Sequence, residues 1–229
     1  AAFVPFVMEP EQKAEEKRWI KAGITHIFSI GKYEERKNHR MLVEIVEELS
    51  AVSNIHLTIA GERTTSAHQA YYDRLSAYIA DHGLQDKVTL LVNLNRQQVA
   101  EQYRKADLFV IPSTREPASI SQLEAMAFSL PVVCGDKNGT ACYVENGVNG
   151  WQFRDNRKAS LKKVMDKMVG SPEQLQKMGQ EIIYQMREEV FAHIHSLSLG
   201  FFNTTPVGKL VTRVSNDTEA VNELFSTIL

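Results

Sequence analysis

The sequence predicts an α/β fold: a Rossmann-like, doubly wound parallel sheet followed by an α-helical tail. Three observations predict it. Short apolar runs alternate with helical patterns of ten or more residues between residues 24 and 170, which is the grammar of βαβ units. Two of these runs, "ITHIFSI" and "IHLTIAG", lead straight into glycines, Gly31 and Gly61. A third, "DLFVIPS", is continuously apolar, as a strand covered on both faces should be. Strands are expected at 24–30, 55–61, 87–93, 107–113 and 130–135, with a short one at 151–155. Helices are expected at 39–50, 67–83, 96–106 and 157–170. In the first of these, Met41, Leu42, Ile45, Val46 and Leu49 share one face.

Composition is ordinary for a globular chain. Of 229 residues, 43% are apolar and 24% charged, so a sizeable core is expected. The net charge of −2 argues against a general nucleic-acid binder. Seven histidines are scattered without metal-ligand spacing, and no metal is expected. Cys134 and Cys142 are too few for a disulfide framework and read as reduced thiols of a cytoplasmic protein. No run reaches eighteen consecutive apolar residues, so no membrane span is expected.

Past residue 178 no strand pattern returns. Ile183, Met186, Val190, Ile194 and Leu197 form a helical stripe, and Val207, Leu210, Val211 and Val214 form another. The chain is accordingly divided into a ligand-binding domain, 1–178, and a helical tail, 179–229.

In an open parallel sheet, ligands gather where strands end and helices begin. Three such junctions carry polar chemistry. "GKYEERKNHR" (31–40) places Lys32, Arg36, Lys37 and Arg40 just after a strand, where cations could neutralise a diphosphate. "STREPASISQLEAMA" (113–127) holds Glu116 and Glu124 with seven residues between them. Ser119 with Gln122 fits a capping box, so a helix should start at Ser119–Ser121. Glu116 would sit in the loop before that start and Glu124 one turn in, both able to accept from paired hydroxyls. The unpaired N–H groups of the helix start suit a phosphate. "GDKNGTACYVENGVNG" (135–150), with Gly139 and Thr140, could bring backbone N–H groups to the same ligand. Taken singly, each stretch could equally be a solvated loop.

Together, "SIGKYEERKNHRMLVEIV", "LTIAGE" and "YRKADLFVIPSTREPASISQLEAMAFSLPVVCGDKNGTACYVENGVNGWQF" resemble the C-terminal half of retaining GT-B glycosyltransferases of the large family-four group. The E-x7-E signature, Glu116 to Glu124, is the strongest part, and "VPFVMEP" is similar to the interdomain linker of that family. The resemblance implies a nucleotide-diphosphate-sugar donor of UDP or GDP type and no cofactor. Lys37 and Lys32 would hold the diphosphate beside Gly31, Glu116 would accept from donor-sugar hydroxyls, and Glu124 from the ribose. N–H groups around Ser119, Ile120 and Ser121 would support the distal phosphate, and Arg36 would stay solvent-facing. Lys37 and Glu116 are the implied catalytic pair. Transfer would be retaining, through an oxocarbenium-like transition state. The sequence departs from the family pattern in four places. Lys32 stands where many relatives have arginine, "EPAS" where many have a glycine-rich "EGFG", "FSL" where "CGL" is usual, and Cys142 in the region of a glutamate. The family's acceptor half lies upstream, so this chain alone is expected to bind donor without turnover.

The tail, "MREEVFAHIHSLSLGFFNTTPVGKLVTRVSNDTEAVNELFSTIL", resembles a different family: the intracellular loop and coupling helix of ABC exporter transmembrane domains. Phe201, Phe202, Pro206, Gly208, Arg213 and Asp217 carry that likeness. Two incomplete pieces in one frame imply a chimera, with a protein partner for the 200–217 turn as the alternative use.

Overall fold

The computed structural model describes residues 23–171, 173–182, 184 and 185. The "VPFVMEP" linker, the helical stripes beyond Gln185 and the 200–217 turn lie outside the described residues.

Six parallel strands form the sheet: β1 (Thr25–Ile30), β2 (Ile55–Gly61), β3 (Val88–Val92), β4 (Leu108–Ile111), β5 (Val132–Gly135) and β6 (Gly150–Phe153), ordered β3-β2-β1-β4-β5-β6. The helices between them are α1 (His39–Leu49), α2 (Ser66–Asp81), α3 (Arg96–Lys105), α4 (Ile120–Ala127) and α5 (Lys158–Val169). Every strand and helix expected between residues 24 and 170 is present, with ends within a few residues of those expected. The chain leaves β1 toward one edge, through β2 and β3, then returns to the other side of β1 at β4. That reversal is a topological switch point, the place where an open α/β sheet receives ligands.

Alternation along each strand sends side chains to two separate cores. Ile27, Leu57, Ile59, Leu108, Val110 and Val133 face one side, where α1, α2 and α5 cover them. Phe28, Ala60, Phe109, Ile111, Val132 and Cys134 face the other, where Tyr103 of α3 and Ala125 of α4 pack. Leu42, Ile45 and Val46 are fully buried, and truncating Leu42 or Ile45 to alanine would cost about 2–5 kcal/mol. The stripe on α1 is wider than the spacing implied, since Val43 and His39 are also buried and Met41 only partly so. Packing between α1 and α5 is reinforced by Lys158, which lies 3.1 Å from Glu44 and 3.0 Å from Glu48.

Residues 173–182 are helical, and Leu175 and Met178 join the first core. This helix runs through position 178. Cys134 is buried and Cys142 exposed, and both are free thiols. Among the described residues, no helix is long and apolar enough to cross a membrane, and no three His, Cys, Asp or Glu side chains group as metal ligands would.

Candidate functional site

The loop after β1 turns through a short 3-10 segment, Glu35–Lys37, into α1. Asn38 makes the turn in the left-handed region at φ 52°, a conformation asparagine tolerates. Its side-chain amide donates to the Pro112 carbonyl at 3.0 Å, and the Thr114 N–H donates to the Arg36 carbonyl at 2.9 Å. The loops after β1 and β4 are thereby stitched together over the switch point.

Arg115, also left-handed at φ 52°, precedes Glu116 in the β4 loop. Lys37 Nζ donates to Glu116 Oε2 at 2.6 Å, and the two side chains are only 15% and 10% exposed. The Arg36 guanidinium reaches the same oxygen at 3.1 Å and Glu34 Oε1 at 2.9 Å. Both cations converge on Oε2, which leaves Oε1 as the oxygen that a hydroxyl could reach. Arg36 stays solvent-facing as expected, at 41% exposed, and adds an ion pair to Glu116 that the sequence does not announce.

The Lys37 stem packs against Gly31: a Cβ there would stand 3.0 Å from Lys37 Cδ and 3.2 Å from Cε, a tight contact to which the flexible stem would have to yield. Lys32 points elsewhere. It is half exposed, 3.5 Å from Glu62, and lines an open cleft of about 610 Å³ together with Gly31, Gly61, Glu62, Thr64, Asn93, Leu94 and Val99. Against Gly61 of that cleft lies the ring of buried Tyr33, whose hydroxyl donates to the Leu91 carbonyl at 2.8 Å. Gly61 admits the ring, since a Cβ there would sit 2.5 Å from Tyr33 Cε2.

Helix α4 starts as expected. The Ser119 side chain accepts from the Gln122 N–H at 3.3 Å, and the N–H groups of Ile120 and Ser121 occupy the first turn, where a helix has no internal acceptors for them. The reciprocal half of the capping box is replaced. The Gln122 side chain is fully buried and instead donates to the Thr140 carbonyl at 2.8 Å and accepts from Asn138 Nδ2 at 3.1 Å. Glu124 is not joined to Lys37 or Glu116. Its Oε2 accepts from the Tyr103 hydroxyl of α3 at 3.0 Å. Burial first, and then the neighbouring Glu124 carboxylate, push the Tyr103 phenol far up, so it stays a donor.

Gly139 and Thr140 hold the glycine-rich loop in place rather than presenting their N–H groups outward. The Gly139 N–H donates to the Glu116 carbonyl at 2.9 Å, and that of Thr140 to Asn138 Oδ1 at 3.1 Å. A Cβ on Gly139 would fall 1.7 Å from the Pro117 carbonyl oxygen. Sequence reasoning missed the pairing of Arg36 with Glu116, the Tyr103 bond to Glu124 and the Gln122 network. Of these, Arg36 carried the one available signal, its place beside Lys37 in a basic run at a strand end.

Comparison with known proteins decides the family. The model described as Glycosyl transferases group 1 matches residues 11–184, well over half of the chain. The chain belongs to the group 1 glycosyltransferases. D-inositol 3-phosphate glycosyltransferase from Nocardia farcinica is 27% identical over 121 residues, covering 53% of this chain and 27% of that protein. Among solved structures, the C-terminal domain of a group 1 glycosyl transferase (LpcC) from Francisella tularensis superposes with a TM-score of 0.64 at 18% identity, covering 79% of this chain and 91% of that one. Anabaena HepE in complex with UDP and glucose gives 0.65 at 17% identity, covering 83% and 53%. These likenesses share the GT-B fold.

The ABC transporter transmembrane region model matches residues 171–229, overlapping the first match over 171–184. There the chain is similar to a probable multidrug resistance ABC transporter ATP-binding/permease protein, YheH, of Bacillus subtilis, 44% identical over 55 residues, covering 24% of this chain and 8% of that protein. The chain thus spans about a quarter of the curated glycosyltransferase and under a tenth of the transporter.

Proposed function

We propose that this group 1 glycosyltransferase domain binds a nucleotide-diphosphate sugar at the carboxyl edge of its sheet and serves as the donor half of a retaining transferase. One observation carries the reading: Lys37 and Glu116 come from loops 79 residues apart and meet at the switch point, which is where an open α/β sheet receives ligands. Lys37 takes the diphosphate, with the first-turn N–H groups of Ile120 and Ser121 at the positive end of α4. Glu116 Oε1 accepts from a donor-sugar hydroxyl. The open cleft beside Lys32 and Asn93 receives the nucleoside, and Glu124, with Tyr103 fixing its other oxygen, takes the ribose. Gly31, Ser119, Gly139 and Thr140 shape the walls. As the glycosidic bond opens, negative charge grows on the leaving diphosphate, and the cations with the helix N-terminus stabilise it.

The Anabaena neighbour, solved with UDP and glucose, supports UDP as a first probe. Thermal melting with UDP, GDP and their sugars tests the reading. A ligand at one hundred times its Kd adds about 2.7 kcal/mol, which raises Tm by roughly 5–10 °C in a domain of this size. Lys37→Ala should remove most of that rise. No response to any nucleoside diphosphate would refute the donor reading.

A second reading is favoured by the transporter match at 171–229. The chain is then a non-catalytic chimera whose α/β part carries a coupling-helix-like segment to a protein partner. It expects no nucleotide response and a partner lost on changing Phe201 and Phe202.

A further inference from the structure

The Glu116 carboxylate has two cationic neighbours on one oxygen, and a donor diphosphate would draw only one of them. Lys37 stands at 2.6 Å with its stem seated against Gly31. Arg36 stands at 3.1 Å and is tethered independently, by Glu34 through its second nitrogen and by the Thr114 N–H on its own carbonyl. An ammonium is a compact charge that swings on a flexible stem, whereas a guanidinium is a rigid fork that can hold two carboxylates at once.

We infer that Arg36 is a positioning residue that retains Glu116 when Lys37 turns to the donor diphosphate. This rests on the donor reading above. Without Arg36, the carboxylate and the diphosphate would compete for one lysine, and the like charges would repel each other at close range. With Arg36 in place, Oε2 stays compensated and anchored, Lys37 is released to phosphate, and Oε1 keeps its aim at a sugar hydroxyl. Arg36 itself touches no phosphate.

A double-mutant cycle on the full chain tests this, with UDP and GDP as the titrants in calorimetry. Arg36→Ala should weaken nucleoside diphosphate binding by about fivefold, the scale of a half-exposed ion pair. In a Glu116→Gln background the same change should have almost no effect, because no carboxylate then holds the lysine. Arg36→Lys should recover part of the loss. An equal loss in both backgrounds would overturn the inference, since Arg36 would then contact phosphate or merely support the fold. No loss in either background would overturn it as well. Failure of the unmutated chain to bind UDP or GDP would remove the donor reading, and this inference with it, before any variant is compared.

Discussion

Lowering the pH from 7 to 5 should destabilise the domain through two buried histidines. His26 is 2% exposed, with Nδ1 2.9 Å from the Lys105 carbonyl and Nε2 2.8 Å from the Thr58 hydroxyl. Burial, against the Lys105 carbonyl bond and together with His56 nearby, lowers its pKa from 6.5 to about 4. His39, packed between Tyr33 and Tyr71, is lowered to about 3 by burial and then by the Lys37 charge. The folded values lie below the unfolded ones, so the neutral imidazoles favour the fold. Their contribution is complete above the unfolded pKa and is lost as pH falls from there toward the folded values. At pH 5 the unfolded chain holds close to one extra proton at each site, and linkage makes that about 2 kcal/mol per histidine. Two such sites remove roughly 4 kcal/mol from a domain whose total stability is on the order of 5–15 kcal/mol. Urea unfolding at pH 7, 6 and 5 measures this. His26→Gln, which keeps an amide near Thr58, should halve the pH dependence. An unchanged slope in that variant, or imidazole NMR titrations near 6.5 for both residues, would refute the reasoning.

Other consequences are more local. Gly139→Ala puts a methyl group into the Pro117 carbonyl and should cost about 2 kcal/mol or displace the Glu116 loop; denaturant melts and UDP titration of the variant check both. Tyr103→Phe removes the hydroxyl that bridges Glu124 and the Ser121 carbonyl; for loss of a hydrogen bond to a carboxylate it should cost about 1.5–3 kcal/mol in denaturant melts, and by freeing Glu124 it should weaken nucleoside diphosphates measurably by calorimetry. Iodoacetamide should label exposed Cys142 and spare Cys134, which is buried with its thiol pushed up to about 12; mass spectrometry of tryptic peptides reads the ratio, and equal labelling would contradict the packing of β5.

Much of the fold is legible because burial and secondary structure leave the same marks. β4 is an unbroken apolar run and β1 and β2 are largely apolar, since helices cover both of their faces, and Gly31 and Gly61 stand where a lysine stem and a tyrosine ring pack against the strand ends. Strand order is not written in periodicity, because nothing local to β4 says that it pairs with β1 rather than β3. The site is legible in part. Lys37 and Glu116 stand out through their motif, but Arg36 sits in a mixed-charge run that reads as solvated until folding joins it to Glu116, 80 residues away in sequence. The sequence around Gly139 suggests a donor for ligand. Only the structure shows its N–H bonded to the Glu116 carbonyl, a pairing that depends on how two loops cross.

The most direct test of a donor site at this junction is an amide NMR map of the chain with UDP or GDP added. Binding at the proposed place should shift Gly31, Lys37, Ile120 and Ser121 together and leave the far edge at Leu84 and Lys87 unmoved. Shifts confined to other surfaces, or none at saturating nucleotide, would contradict the assignment of Lys37 and Glu116 to a diphosphate sugar.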